Sequence, residues 1–150
     1  MTYPTTASVL ENVIALIAKL EATDDKSRRK VRTYEYMHRL SIFDWWKDWL
    51  TLSDLKSMKA FLTKAIKYGY NGYACFKVGA SGCANGMWAY KEESTSGYSP
   101  DGEFLYRSFT PSYTAWDAKL ADGTYVGERL RAKGIAYDDQ TFKLIEQYIA

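Results

Sequence analysis

Residues 69–116 read GYNGYACFKVGASGCANGMWAYKEESTSGYSPDGEFLYRSFTPSYTAW, and this stretch decides the fold. Apolar and polar residues alternate along it, and clusters of Gly, Ser, Asn and Pro interrupt them, which is the pattern of strands joined by turns. The alternation predicts strands over 73–78, 87–92, 103–109 and 113–118. The glycines of 79–86 close the first hairpin, and 94–102, with Pro100, Asp101 and Gly102, closes the second. Pro111 lacks the N–H that a paired strand needs, so 110–112 is read as a corner. Side chains alternate between the faces of a strand, which sets Ala74, Phe76 and Val78 on a core face and Tyr73, Cys75 and Lys77 on the other. The later strands are aromatic on both sides: Trp88 and Tyr90 stand against Met87 and Ala89, and Phe104 and Tyr106 against Leu105 and Phe109. Pattern alone leaves their inner face open.

Outward from this sheet the spacing turns helical. A first helix is predicted over 8–21, with Ser8 as its cap and Glu11 three residues on completing a capping box. Its stripe of Val9, Val13, Leu16 and Leu20, widened by Leu10, Ile14 and Ile17, predicts burial against more than one neighbour. Residues 31–50 also space helically, and Ser41 with Asp44 three positions later marks a second start. Helices are therefore expected over 31–40 and 42–50. In the second, Ile42, Trp45, Trp46, Trp49 and Leu50 share a face, read as bulk beneath the sheet in preference to a docking ridge. Thr51 and Ser53 open a third major helix to about residue 68, stopped by Gly69. Leu55, Met58, Leu62, Ala65 and Ile66 face inward there, and Lys56, Lys59, Lys64 and Lys67 face water. Beyond the sheet, helices are expected over 125–133 and 141–149, the last burying Phe142, Ile145 and Ile149. The expected fold class is α+β: one domain over 1–150, in which N-terminal helices (8–68) pack an antiparallel sheet of about four strands (73–118) that C-terminal helices (124–149) close.

A chain of 150 residues is long enough for one domain with a sizeable core. Its hydrophobic share of 47% and charged share of 25% are ordinary for a globular protein. The aromatic share is the outlier: 16%, with thirteen Tyr and five Trp, is a surplus that points to rings at the surface. Tyr and Trp anchor interfaces because they offer large rigid area at low entropic cost. A formal charge of +2 is too small to attract nucleic acid by bulk electrostatics. The amino terminus has no charged lead into an apolar run, and no apolar run nears the ~20 residues of a membrane span. A cytoplasmic chain with no membrane partner is expected. Cys75 and Cys83 have neither zinc nor redox spacing, and so few thiols fit a reducing compartment.

Little in the sequence suits catalysis. The one histidine, His38, lies among Met37, Arg39 and Leu40 with no partner signal, so it is read as an ordinary helix residue rather than a general base. Cys75, mid-strand, is read as a buried inert thiol. One His and two Cys cannot make the usual zinc set, and no cofactor motif is present: Gly79, Gly82 and Gly86 have neither dinucleotide-loop nor phosphate-loop spacing. Lys26, Arg28, Arg29, Lys30 and Arg32 form either a small phosphate-binding patch or, with Asp24 and Asp25 beside them, a solvated linker, and the linker is preferred.

Three functions remain. The leading one is a non-enzymatic binding protein whose aromatic surface docks on another macromolecule, with Tyr73, Lys77, Trp88, Tyr90, Tyr98, Tyr106, Arg107 and Tyr113 as its binding residues. A small chain of this kind suits a phage or mobile-element inhibitor, whose partner is a host protein or ribonucleoprotein. The second is a single-stranded nucleic-acid binder, in which Tyr73, Tyr90, Tyr106 or Tyr113 stack bases while Lys77, Lys91 and Arg107 hold phosphates. The third is a small enzyme using a carboxylate pair drawn from Glu92, Glu93, Asp101, Glu103, Asp117 and Asp122.

Overall fold

Three of the strands form where the alternation is longest. A computed structural model describes residues 3–45, 47–78, 86–108, 123–125, 128 and 132, the side chains of 43–45, 78 and 108 excepted. In chain order the elements are α1 (Thr6–Glu21), β1 (Lys30–Arg32), β2 (Ile42–Trp45), β3 (Trp49–Thr51), α2 (Leu52–Lys67), β4 (Ala74–Val78), β5 (Gly86–Tyr90) and β6 (Phe104–Ser108). The class is α+β, as expected. β4, β5 and β6 pair antiparallel, with Ala74 opposite Ala89 and Trp88 opposite Tyr106. Each lies within two residues of a predicted strand at either end.

Both long helices carry their own start signals. α1 begins earlier than its sequence signal suggests, because Thr5 rather than Ser8 is the cap. Thr5 Oγ1 accepts from the Ser8 N–H at 3.2 Å, and Ser8 Oγ accepts from the Thr5 N–H at 2.9 Å. The sheet sets that start: Thr5 bridges to Tyr73, the Thr6 N–H donates to the Gly72 carbonyl at 2.8 Å, and the buried Thr6 hydroxyl donates to the Tyr70 carbonyl at 2.8 Å. Its apolar stripe is also narrower than expected, since Ile14 is 45% exposed. α2 begins where predicted. Thr51 caps it, the Asp54 carboxylate accepts from the Thr51 N–H at 2.9 Å, and Gly69 stops it at φ +89°. Only glycine takes that backbone conformation at no steric cost.

Residues 31–50 are not two helices. Lys30–Arg32 pairs antiparallel with Trp49–Thr51 in a separate two-stranded ribbon, and Thr33–Tyr36 is a short 3-10 turn. Ile42–Trp45 is a strand. Ser41, the expected cap, instead sits in a turn at φ +54°, where the Ile42 N–H donates to the Met37 carbonyl at 2.8 Å. His38 lies in that turn, exposed, rather than on a helix. Runs this short carry too few positions to tell a period of two from one of 3.6, and β-branched and aromatic residues then favour the extended form.

The expected fourth strand is corrected in the same way. The strand that completes the sheet is β2, parallel to β4, giving the order β2-β4-β5-β6. A parallel neighbour needs a long crossover, and β3 with α2 supplies it. The predicted strand over 113–118 lies outside the described residues. So do the helices expected over 125–133 and 141–149, apart from Tyr125, Glu128 and Ala132.

One core holds these elements together. Val9, Val13, Leu16, Ile17 and Leu20 of α1 meet Leu55, Met58, Phe61, Leu62 and Ala65 of α2, and both rest on Ala74, Phe76, Met87, Ala89 and Leu105 of the sheet. The inner face left open by the sequence is therefore the one bearing Met87, Ala89 and Leu105. The larger rings of β5 and β6 point the other way. No helix among the described residues is long and apolar enough to cross a membrane.

Candidate functional site: the aromatic face of the sheet

Turning Met87, Ala89 and Leu105 inward forces their neighbours outward, and the register then assembles them into rows. Nearest the β5–β6 turn, Tyr73, Tyr90 and Phe104 stand side by side. Their ring centroids are 6.1 Å apart for Tyr73–Tyr90 and 5.4 Å for Tyr90–Phe104, and Tyr125 meets Phe104 edge-on at 6.1 Å. In the next row come Cys75, Trp88 and Tyr106, with Trp88 and Tyr106 4.7 Å apart and tilted. Beyond them Lys77 lies opposite Gly86, which has no side chain, and its ammonium sits 5.9 Å from the Trp88 ring centroid.

The two ends of this face differ in exposure. Tyr73 (6%), Cys75 (1%) and Tyr90 (7%) are buried, forming a second small hydrophobic cluster apart from the main core. Trp88, Phe104, Tyr106 and Lys77 are only partly buried. Burial shows in the titration of the covered groups. It pushes the Cys75 thiol up to about 12, with a Ser99 hydrogen bond and the Lys77 charge acting against the rise. Burial likewise raises Tyr73 and Tyr90. A thiol held protonated is a poor nucleophile, in keeping with an inert Cys75.

The turn between β5 and β6 is folded by its own side chains. Ser94 Oγ donates to the Tyr98 carbonyl at 2.7 Å and accepts from the Gly97 N–H at 3.1 Å. Gly97, at φ +84°, lies against the Tyr3 ring, where a Cβ would collide. Ser99 reaches down to Cys75 and Tyr90, so the turn covers the buried end of the face. Tyr98 next to it is left 79% exposed.

Of the residues singled out from the sequence, Tyr73, Lys77, Trp88, Tyr90 and Tyr106 do share one face. Tyr98 stands on the adjoining turn. Arg107 does not join them: it follows Tyr106, shares the parity of Leu105, and lines a cleft on the helix side with Leu52, Ser53 and Lys56. Tyr113 lies outside the described residues, as do Cys83, Asp117 and Asp122. The expected carboxylates do not gather. Glu103 is paired with Lys91 at 2.7 Å, Glu92, Glu93 and Asp101 are exposed, and the described residues hold no group of three potential metal ligands.

Two arrangements escaped the sequence reading. Lys91, besides pairing Glu103, lies 5.3 Å from the ring of the fully buried Tyr70. Burial, then the charge and proximity of the Glu103 carboxylate, raise the pKa of that phenol. On the ribbon, Lys30 and Arg32 each approach the Trp49 ring to 4.6 Å. The cross-strand pair Arg32–Trp49 would have revealed this, had 30–32 been read as a strand.

Comparison with protein-family models, with curated proteins and with solved structures finds no match to this chain.

Proposed function

We propose that this protein is a non-enzymatic binding protein that grips another macromolecule with the outer face of its sheet. The observation that carries this reading is the Trp88–Tyr106 pair, partly exposed beside the Lys77 ammonium on the face turned away from both helices. Aromatic side chains held rigid by neighbours lose little entropy on docking, and the buried Tyr73 and Tyr90 with the partly buried Phe104 supply that backing. Tyr98 extends the surface from the adjoining turn. On this reading the partner is a host protein or ribonucleoprotein, and the chain acts on it as an inhibitor of the kind a phage or mobile element carries.

The test compares wild type with Trp88→Ala, Tyr106→Ala and Tyr98→Ala in affinity capture from host lysate, with each variant's thermal unfolding measured in parallel. A specific partner retained by wild type and lost by at least one variant that still folds is the expected result. Retention unchanged in all three removes the aromatic face from the function. Salt-dependent capture of single-stranded oligonucleotide instead would transfer the face to the nucleic-acid reading.

A further inference from the structure

The helix side of the sheet carries a second, separate feature. Ser53, Lys56, Ser57 and Ala60 fall at helical spacing along one stripe of α2, and Arg107 comes up from β6 to face them. Together with Leu52 they line an open cleft of about 440 Å³, within the ~300–1,000 Å³ range of small-ligand sites. Among the described residues its lining holds two cations and two hydroxyls but no carboxylate. Neither Lys56 nor Arg107 makes an ion pair with any described residue, in contrast to Arg28 with Asp25, Lys47 with Asp54 and Lys91 with Glu103. Asp54, next to the cleft in sequence, is turned to the Thr51 N–H and to Lys47, so its charge is already answered.

Two cations brought to one cleft from different elements, neither paired with a described residue, repel each other, and an anion placed between them relieves that repulsion. Arg offers a planar fork suited to two oxygens of one group, and Lys adds a point charge. Ser53 and Ser57 can donate to further oxygens. We infer that this cleft binds a phosphate group, either free or as the phosphomonoester of a small molecule, with Lys56 and Arg107 as its charged ligands. Partial solvent access sets a modest affinity, with a Kd on the order of 1 mM. The cleft lies on the opposite side of the sheet from Trp88 and Tyr106, so its fate is independent of the docking face.

The experiment titrates the isotopically labelled 150-residue chain with sodium phosphate and, separately, with glycerol 3-phosphate. Sodium chloride at matched ionic strength is the control. Expected are saturable amide shifts centred on residues 53, 56, 57 and 107 with either phosphate compound and not with chloride, and a fivefold or greater weakening in Lys56→Gln and in Arg107→Gln. Tighter binding of glycerol 3-phosphate marks a phosphomonoester as the ligand; equal binding marks free phosphate. Shifts that follow ionic strength alone overturn the inference, as does undiminished binding in both variants. Should Arg107→Gln fail to fold, the chloride control and the exposed Lys56→Gln decide the matter.

Discussion

Gly72 is where the two halves of the fold touch. Its N–H donates to the Tyr90 carbonyl at 2.8 Å, its carbonyl accepts from the Thr6 N–H and from the Thr6 hydroxyl at 3.1 Å, and a Cβ on it would collide with the Glu92 backbone. Backbone cannot yield as a side-chain tip can. Gly72→Ala is expected to lower stability by about 1–3 kcal/mol, the usual cost of overpacking, read as a reduced urea midpoint at unchanged slope. A midpoint equal to wild type would mean that the α1–sheet junction is looser than its hydrogen bonds imply. The same scale shows why Arg107 stands apart from Tyr106: successive strand residues point to opposite faces, so the position after Tyr106 falls on the helix side.

Among the elements, α2 shows what a sequence can disclose. Thr51 and Asp54 form a reciprocal cap, with the Asp54 N–H donating to Thr51 Oγ1 at 3.2 Å, and Lys47 joins the same carboxylate. Thr51→Ala should cost about 1 kcal/mol, measured by denaturation against a wild-type reference; an unchanged midpoint would show the helix start to be fixed by β3 alone. This cap was legible because a long amphipathic run follows it. Ser41 with Asp44 offers a similar signal before a shorter run, and Ser41 occupies a left-handed turn. β1, β2 and β3 are three or four residues each, and their partners lie elsewhere in the chain, as Ile42 opposite Phe76 shows. Nothing local announces such a pairing. The outer rows of the sheet were half legible: parity grouped Trp88 with Tyr90 and Phe104 with Tyr106. With large side chains on both faces, only the register and the helices could say which face was inside.

For the whole molecule, the covered phenols and thiol set an alkaline limit. Cys75 rises from 9.0 to about 12, and Tyr70, Tyr73 and Tyr90 all rise from 10.0, burial being the main cause in each. As pH climbs, the unfolded chain releases these protons first while the folded chain still holds them. Each group's contribution is therefore complete below its unfolded pKa and is lost as pH rises toward the folded value. Stability should be flat near neutrality and fall from roughly pH 9 upward, seen as a urea midpoint that declines with pH. Cys75→Ser and Tyr90→Phe should shift the start of that decline. A midpoint level through that range would show that these groups are reached by solvent.

The parallel seat of β2 beside β4 bears on how the protein is made. During translation residues 42–45 leave the ribosome well before 74–78, and α2 is synthesised between them. The earlier strand must wait, its edge open, until the later one emerges. A nascent chain arrested before residue 74 should therefore be a good client for a chaperone that recognises extended apolar segments, and one released after β6 should not.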